Sequence, residues 1–157
     1  MKIISGGQTG ADRAGLNFAI DHGIEHGGHC PKGRRAEDGK VPEKYNLIET
    51  SSSNYLARTE LNVINSDATV IFKRADIDSP GSIRTEQYCR VNGKPYLIIG
   101  EREGFISFDA GRLVEFLDKH KPKVLNIAGH RETSCPGIHN YVYMVFTSAK
   151  ALCDLLK

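Results

Sequence analysis

A chain of 157 residues that is 39% hydrophobic and 25% charged can bury a core without disulfides or a metal, and its composition is that of an ordinary soluble globular protein. A formal charge of +2 leaves no basic footprint for nucleic acid, and no apolar run is long enough to span a bilayer. Without a signal-peptide pattern, and with Cys30, Cys89, Cys135 and Cys153 lacking any CxxC spacing, the expectation is a cytoplasmic chain of free thiols with no membrane partner.

Strands are predicted over Ile3 to Ser5, Gly28 to Cys30, Leu47 to Glu49, Ala68 to Lys73, Tyr96 to Gly100 and Lys123 to Ala128. The runs ATVIF, YLII and VLNIA are short and continuous, as parallel strands covered on both faces are. Between the strands lie helical patterns. In the first, Arg13, Asn17 and Asp21 form a polar stripe, and Ala11, Ala14, Gly15 and Phe18 form the inner face, with Gly15 marking close packing on the sheet. Further helices are predicted over Asn54 to Asn65, Ser82 to Asn92, Asp109 to His120 and Gly137 to Leu156.

The last of these carries two apolar stripes. Ile138, Val142, Val145, Ala149, Leu152 and Leu156 make one; Tyr141, Met144, Ala151 and Leu155 make the other. Either the helix is buried deep in its own domain, or the second stripe meets another subunit in a homo-oligomer. Strand–helix alternation over residues 1–157 predicts one α/β domain: an open, doubly wound, mainly parallel sheet with helices on both faces and right-handed crossovers.

In such a sheet, ligands bind beyond the carboxyl ends of the strands. Three strand ends there carry glycine- and hydroxyl-rich turns: SGGQTGAD (5–12), SPGSIRTE (79–86) and GHRETSCPG (129–137). Each can open a helix with free backbone N–H groups, which binds anions, phosphate above all. Neither the dinucleotide fingerprint GxGxxG nor a GK[ST] phosphate loop is present, which disfavours a standard NAD enzyme or ATPase. The irregular stretch Pro31 to Asn46 contains Lys32, Arg34 and Arg35 beside Glu37 and Asp38, and is read as a lid whose guanidinium groups close on phosphate oxygens.

Other residues have blander readings. Asp12 suits the first turn of a helix by charge alone, with recognition of an amino group or ribose hydroxyl as the alternative. Arg58, Thr59, Asn62 and Asn65 read as an exposed polar face. His29, Cys30, His130, Cys135 and His139 are poor versions of zinc-ligand pairs, so no metal site is assigned.

SGGQTGADRAGL, CPKGRRAEDG, the RTELNV and SDATVIF block and NIAGHRETSCPGI together resemble the molybdenum (molybdenum-cofactor) carrier proteins, over nearly the whole chain. That family belongs to a wider Rossmann-like superfamily with the LOG phosphoribohydrolases and the DNA-processing protein DprA. The resemblance implies a homo-oligomeric, Rossmann-like carrier of a phosphorylated pterin or nucleotide-like ligand, with molybdenum cofactor as the candidate cargo. It implies ligand contacts from Gly6, Gly7, Thr9, Gly10 and Asp12; from Lys32, Gly33, Arg34 and Arg35; from Gly81, Ser82 and Thr85; and from Gly129, Arg131 and Glu132. The family's AGPRES reads AGHRET here, and His130 in place of proline is expected to loosen the third turn.

The competing functional reading is hydrolysis of a nucleoside monophosphate. Against it, the catalytic glutamate of the LOG motif PGGxGTxxE falls on Tyr88, and Glu86 points to nearly the opposite helix face. DNA binding in the manner of DprA is the weakest reading.

Overall fold

The computed structural model describes residues 1–102 and 105–157. In chain order the elements are β1 (Lys2–Ile4), α1 (Ala11–Asp21), β2 (His26–Gly27), β3 (His29–Cys30), β4 (Arg35–Ala36), β5 (Gly39–Lys40), β6 (Ile48–Glu49), α2 (Tyr55–Ile64), β7 (Ala68–Phe72), α3 (Pro80–Val91), β8 (Tyr96–Ile99), α4 (Ile106–His120), β9 (Val124–Gly129) and α5 (Ile138–Lys150). Short 3-10 turns lie at Lys32–Arg34 and Asp154–Leu156.

The central sheet is five-stranded and parallel, in the order β2-β1-β9-β7-β8. All five residues of β7 are buried, which is why ATVIF reads as a continuous apolar run rather than an alternating one. Helices α1, α4 and α5 pack together, as do α2 and α3, and the two groups cover opposite faces, as right-handed crossovers require. The α/β, doubly wound expectation is met. Gly15 has the predicted role: a Cβ there would stand 2.6 Å from the Ile127 Cδ1 of β9, so only glycine lets α1 lie this close to the sheet.

Two expectations change. Gly28 to Cys30 is not one strand of the main sheet. Gly28 has φ +122°, and a Cβ would stand 2.2 Å from the Ser5 carbonyl oxygen, so the chain turns there. β2 pairs with β1, while β3 leaves to pair with β6 in a separate two-stranded sheet. The last helix stops at Lys150 rather than continuing to Leu156. Its second stripe is divided: α5 lies between α1 and α4, where Tyr141 donates to the Asp109 carboxylate at 2.6 Å and Leu155 packs on the core. Met144 and Ala151 stay exposed.

Register sets the site. β9, the last strand in sequence, lies between β1 and β7, pairing Ile4 with Asn126 and Phe72 with Gly129. The turns after β1, β7 and β9 therefore emerge side by side from the carboxyl edge. Among the described residues, no helix is long and apolar enough to cross a membrane.

Candidate functional site

The first turn, Ser5 to Gly10, approaches the protein itself. The Arg58 guanidinium lies over Gly6, so that a Cβ there would fall 1.3 Å from Nη1. The open side of Gly7 faces Val41 and Leu47, and Gly10, at φ +81°, presses on the backbone of His130 and Glu132. The backbone of α1 is similarly engaged: Ala11 N–H donates to the His130 carbonyl at 3.1 Å and Arg13 N–H to that of Gln8 at 3.2 Å. Asp12 is buried, and its carboxylate accepts from Gln8 N–H at 3.2 Å and from Arg58 Nη1 at 2.7 Å. It is the counter-charge of Arg58 rather than a simple helix-dipole residue.

The third turn is closed by its own glutamate. Glu132 accepts from Gly137 N–H at 2.6 Å and His139 N–H at 3.1 Å, which satisfies the orphan donors at the start of α5. His130 tightens this turn instead of loosening it. Its N–H donates to the Phe72 carbonyl at 3.1 Å, a bond proline could not make, and its buried Nε2 accepts from Arg74 N–H at 3.0 Å. Burial pushes the imidazole pKa down, consistent with a neutral ring accepting that bond.

The second turn is open. Ser79 caps α3 by accepting from Ser82 N–H at 3.3 Å, and Pro80 at the first helical position has no N–H. Gly81 borders open space: a Cβ there would meet nothing within 4 Å. Among the described residues, the Gly81 N–H is the orphan donor that this cap leaves over.

In front of it lies a cleft of about 420 Å³. Its walls are Gly6, Gln8 and Asp12 from the first segment; Arg58, Thr59 and Asn62 from α2; Asp78 to Gly81 and Thr85 from the second turn; and Asn126 to Arg131, Thr133 and Ser134 from β9 and beyond. Two residues of this wall, Gln8 and Arg58, each hold a buried donor, Nε2 and Nε, that has no partner among the described residues.

Of the residues expected at the site, Gly6, Asp12, Gly81, Thr85, Gly129 and Arg131 line the cleft. Gly7, Thr9, Gly10, Ser82 and Glu132 stand behind it. The Ser82 hydroxyl is bonded to that of Ser79 at 2.6 Å, and Thr9 Oγ1 accepts from Glu132 N–H at 3.2 Å. The wall also holds residues that were not expected as ligand contacts, among them Gln8, Arg58, Asp78 and Asn126. The polar face expected to be exposed on α2 instead turns Arg58, Thr59 and Asn62 into the cleft, and Asn62 is buried, exchanging hydrogen bonds with the His29 backbone at 2.8 and 3.0 Å. The signal was present in the Arg58, Thr59 and Asn62 spacing, but a polar helix face alone does not distinguish solvent from a cleft.

The 31–46 loop is held down rather than poised as a lid. Arg34 is buried and donates to the carbonyls of Val41, Pro42, Tyr45 and Leu47 at 2.9 to 3.2 Å, so its fork binds the loop and is not directed at the cleft. Lys32 and Gly33 are exposed and away from the cleft wall, with Gly33 N–H on the Glu49 carboxylate at 2.5 Å. Arg35 lies over the Tyr55 ring. Glu37 fastens the loop to the other two turns, accepting from the hydroxyls of Thr9 and Thr133, the latter at 2.5 Å. Burial raises its carboxyl pKa, but these hydrogen bonds outweigh that and hold it below the usual range.

Among the described residues no three His, Cys, Asp or Glu side chains converge as a metal site. Cys30 and Cys135 are buried, and burial pushes the Cys30 thiol up, away from the thiolate that would ligate a soft metal.

Residues 3–149 match the model of the circularly permutated YpsA SLOG family. The chain is also similar to the crystal structure of a protein from Syntrophus aciditrophicus SB titled "Putative molybdenum carrier protein", with 44% identity over 94% of this chain and 93% of that one, and a TM-score of 0.90. No curated protein matches. With a family match running almost end to end and a solved relative of the same architecture, the chain belongs to the circularly permutated YpsA SLOG family.

Proposed function

We propose that this protein is a binding or carrier module holding a phosphorylated pterin or nucleotide-like ligand in the cleft at the carboxyl edge of its sheet, with molybdenum cofactor as the candidate cargo. The observation that carries this reading is the set of unmet donors around one cavity. The open start of α3 at Gly81 shares the cleft with Gln8 Nε2 and Arg58 Nε, both buried and without partners among the described residues. Buried donors left unsatisfied cost about 1–3 kcal/mol each, and an anion with several acceptor oxygens relieves that cost. A cleft of about 420 Å³ is of the size that encloses a small ligand. The name carried by the Syntrophus protein favours a carrier role over a catalytic one.

In this reading the phosphate sits at the start of α3, where the helix dipole and the Gly81 N–H favour it. Gln8 and Arg58 donate from the facing wall. Asp78 and Asn126 line the same cleft and are the polar groups that orient a heterocycle or sugar, with Asp12 and Asn62 holding Arg58 and the His29 backbone in place behind them. The cargo's metal chemistry stays with the cargo.

Against hydrolysis of a nucleoside monophosphate stands the placement of the acids. Glu86 is bound to Arg90 and Tyr96, Glu132 caps α5, and Asp12 is paired with Arg58. Asp78 alone lines the cleft without such a tie among the described residues.

Native mass spectrometry of the purified protein, followed by calorimetric titration with adenosine monophosphate and a pterin phosphate, tests the reading. Retention or saturable binding of a phosphorylated heterocycle without turnover is expected. Release of free base from adenosine monophosphate above background, lost in Asp78→Asn, would replace the carrier with an enzyme.

A further inference from the structure

We infer that the cleft prefers a ligand with two anionic groups, binding a diphosphate ester more tightly than a monophosphate: one phosphate at the start of α3, the other at three arginines gathered around Tyr55. The inference rests on the phosphate reading of the cleft and specifies its ligand. The guanidinium carbons of Arg35, Arg131 and Arg58 lie 4.9, 5.6 and 5.7 Å from the centre of the Tyr55 ring. They arrive from three separate segments: β4, the third turn and α2.

Arg58 and Arg131 also line the cleft, so the cluster is continuous with the cavity that reaches Gly81. Arg35 extends it past the rim. The counter-charges are incomplete. Asp12 pairs closely with Arg58 at 2.7 Å. Glu37 is 3.8 Å from Arg131 and already accepts from two hydroxyls, and Arg35 makes no ion pair among the described residues.

Three like charges brought together repel, and contact with one aromatic ring offsets that only in part. An anion that several guanidinium forks can grip completes the arrangement. The cations already occupy the approaches to the ring, so Tyr55 acts as a platform that positions them and not as a stacking surface for a base.

Calorimetry in metal-free buffer at matched ionic strength, with adenosine monophosphate, adenosine diphosphate, orthophosphate and pyrophosphate as probes, tests the inference. The diphosphates are expected to bind about tenfold more tightly than their monophosphate counterparts, as one added charge-assisted contact provides. Arg35→Ala and Arg131→Ala should each reduce that ratio at least threefold while the proteins keep a cooperative melt. Equal affinity for mono- and diphosphates overturns the two-anion ligand and leaves the phosphate cleft standing. A ratio that neither variant moves overturns the arginine cluster as its cause. Binding of none of the four probes removes the phosphate cleft and this inference with it.

Discussion

The starts of α1 and α3 border the same cleft, both have a glycine within or just before the first helical turn, and both follow the carboxyl edge of a buried parallel strand. At α1 the N–H groups of Ala11 and Arg13 go to protein carbonyls, Asp12 takes Gln8 N–H, and the bare faces of Gly6, Gly7 and Gly10 meet Arg58, the loop and the third turn. At α3 a serine cap and a proline account for part of the terminus, and Gly81 borders open space. A glycine therefore marks that something comes close or that something is left room. Which of the two holds depends on the neighbouring segments. The α1 start is closed by the protein itself, and the α3 start is the one left open.

Substitutions that break or sharpen this contrast rank by their effect on stability. Gly10→Ala should cost most, about 4 kcal/mol, because the methyl meets backbone at 2.4 Å and the residue is held at φ +81°. Urea unfolding of a soluble variant measures it, and a loss under 1 kcal/mol would mean that the first turn is looser than its packing implies. Arg58→Met follows at about 3 kcal/mol, since it leaves the Asp12 carboxylate buried without its partner. Combined with Asp12→Asn, the cost should fall well below the sum of the single changes, a coupling that a double-mutant cycle reads directly.

Glu132→Gln should cost about 1 kcal/mol by weakening the cap of α5. Its ligand affinity should stay at the wild-type value, and a lost affinity would return Glu132 to the binding wall. The Glu37 carboxyl, lowered in the folded chain, contributes stability that is present above the ordinary carboxylate pKa and is lost as pH falls through its depressed folded value. A pH series of melts should show that loss in the wild type, and Glu37→Gln should flatten it.

Gly81→Val is expected to move stability by less than about 0.5 kcal/mol, because the new side chain has space. It should nonetheless abolish phosphate binding by filling the mouth of the α3 terminus. An unchanged affinity would reverse the roles of the two turns.

Much of the architecture is legible in the sequence alone. β7, β8 and β9 emerge where ATVIF, YLII and VLNIA lie, and the fully buried β7 shows why: a strand covered on both faces leaves a continuous run rather than an alternating one. Asn54 caps α2 and Gly15 sits against Ile127, both local chemistry with a local signature. The break at Gly28 was not legible, because it depends on the Ser5 carbonyl oxygen, just past β1, lying 2.2 Å from where a Cβ would be. The role of Arg34 was hidden for the same reason: a guanidinium in a basic loop looks the same in sequence whether it meets phosphate or four carbonyls.

What the sequence by itself determined is the main strands and helices, the carboxyl edge of the sheet and the three turns that compose it, because periodicity and turn residues act over a few neighbouring positions. The tertiary structure alone decided which of those turns stays open. Arg58 and Gly6 lie 52 positions apart and Glu37 and Thr133 lie 96 apart, so donors are consumed or left free by contacts that no local pattern encodes. The unmet donors of Gln8 and Arg58 exist only once the fold has buried them, and burial rather than residue type turns them from solvated groups into unsatisfied ones.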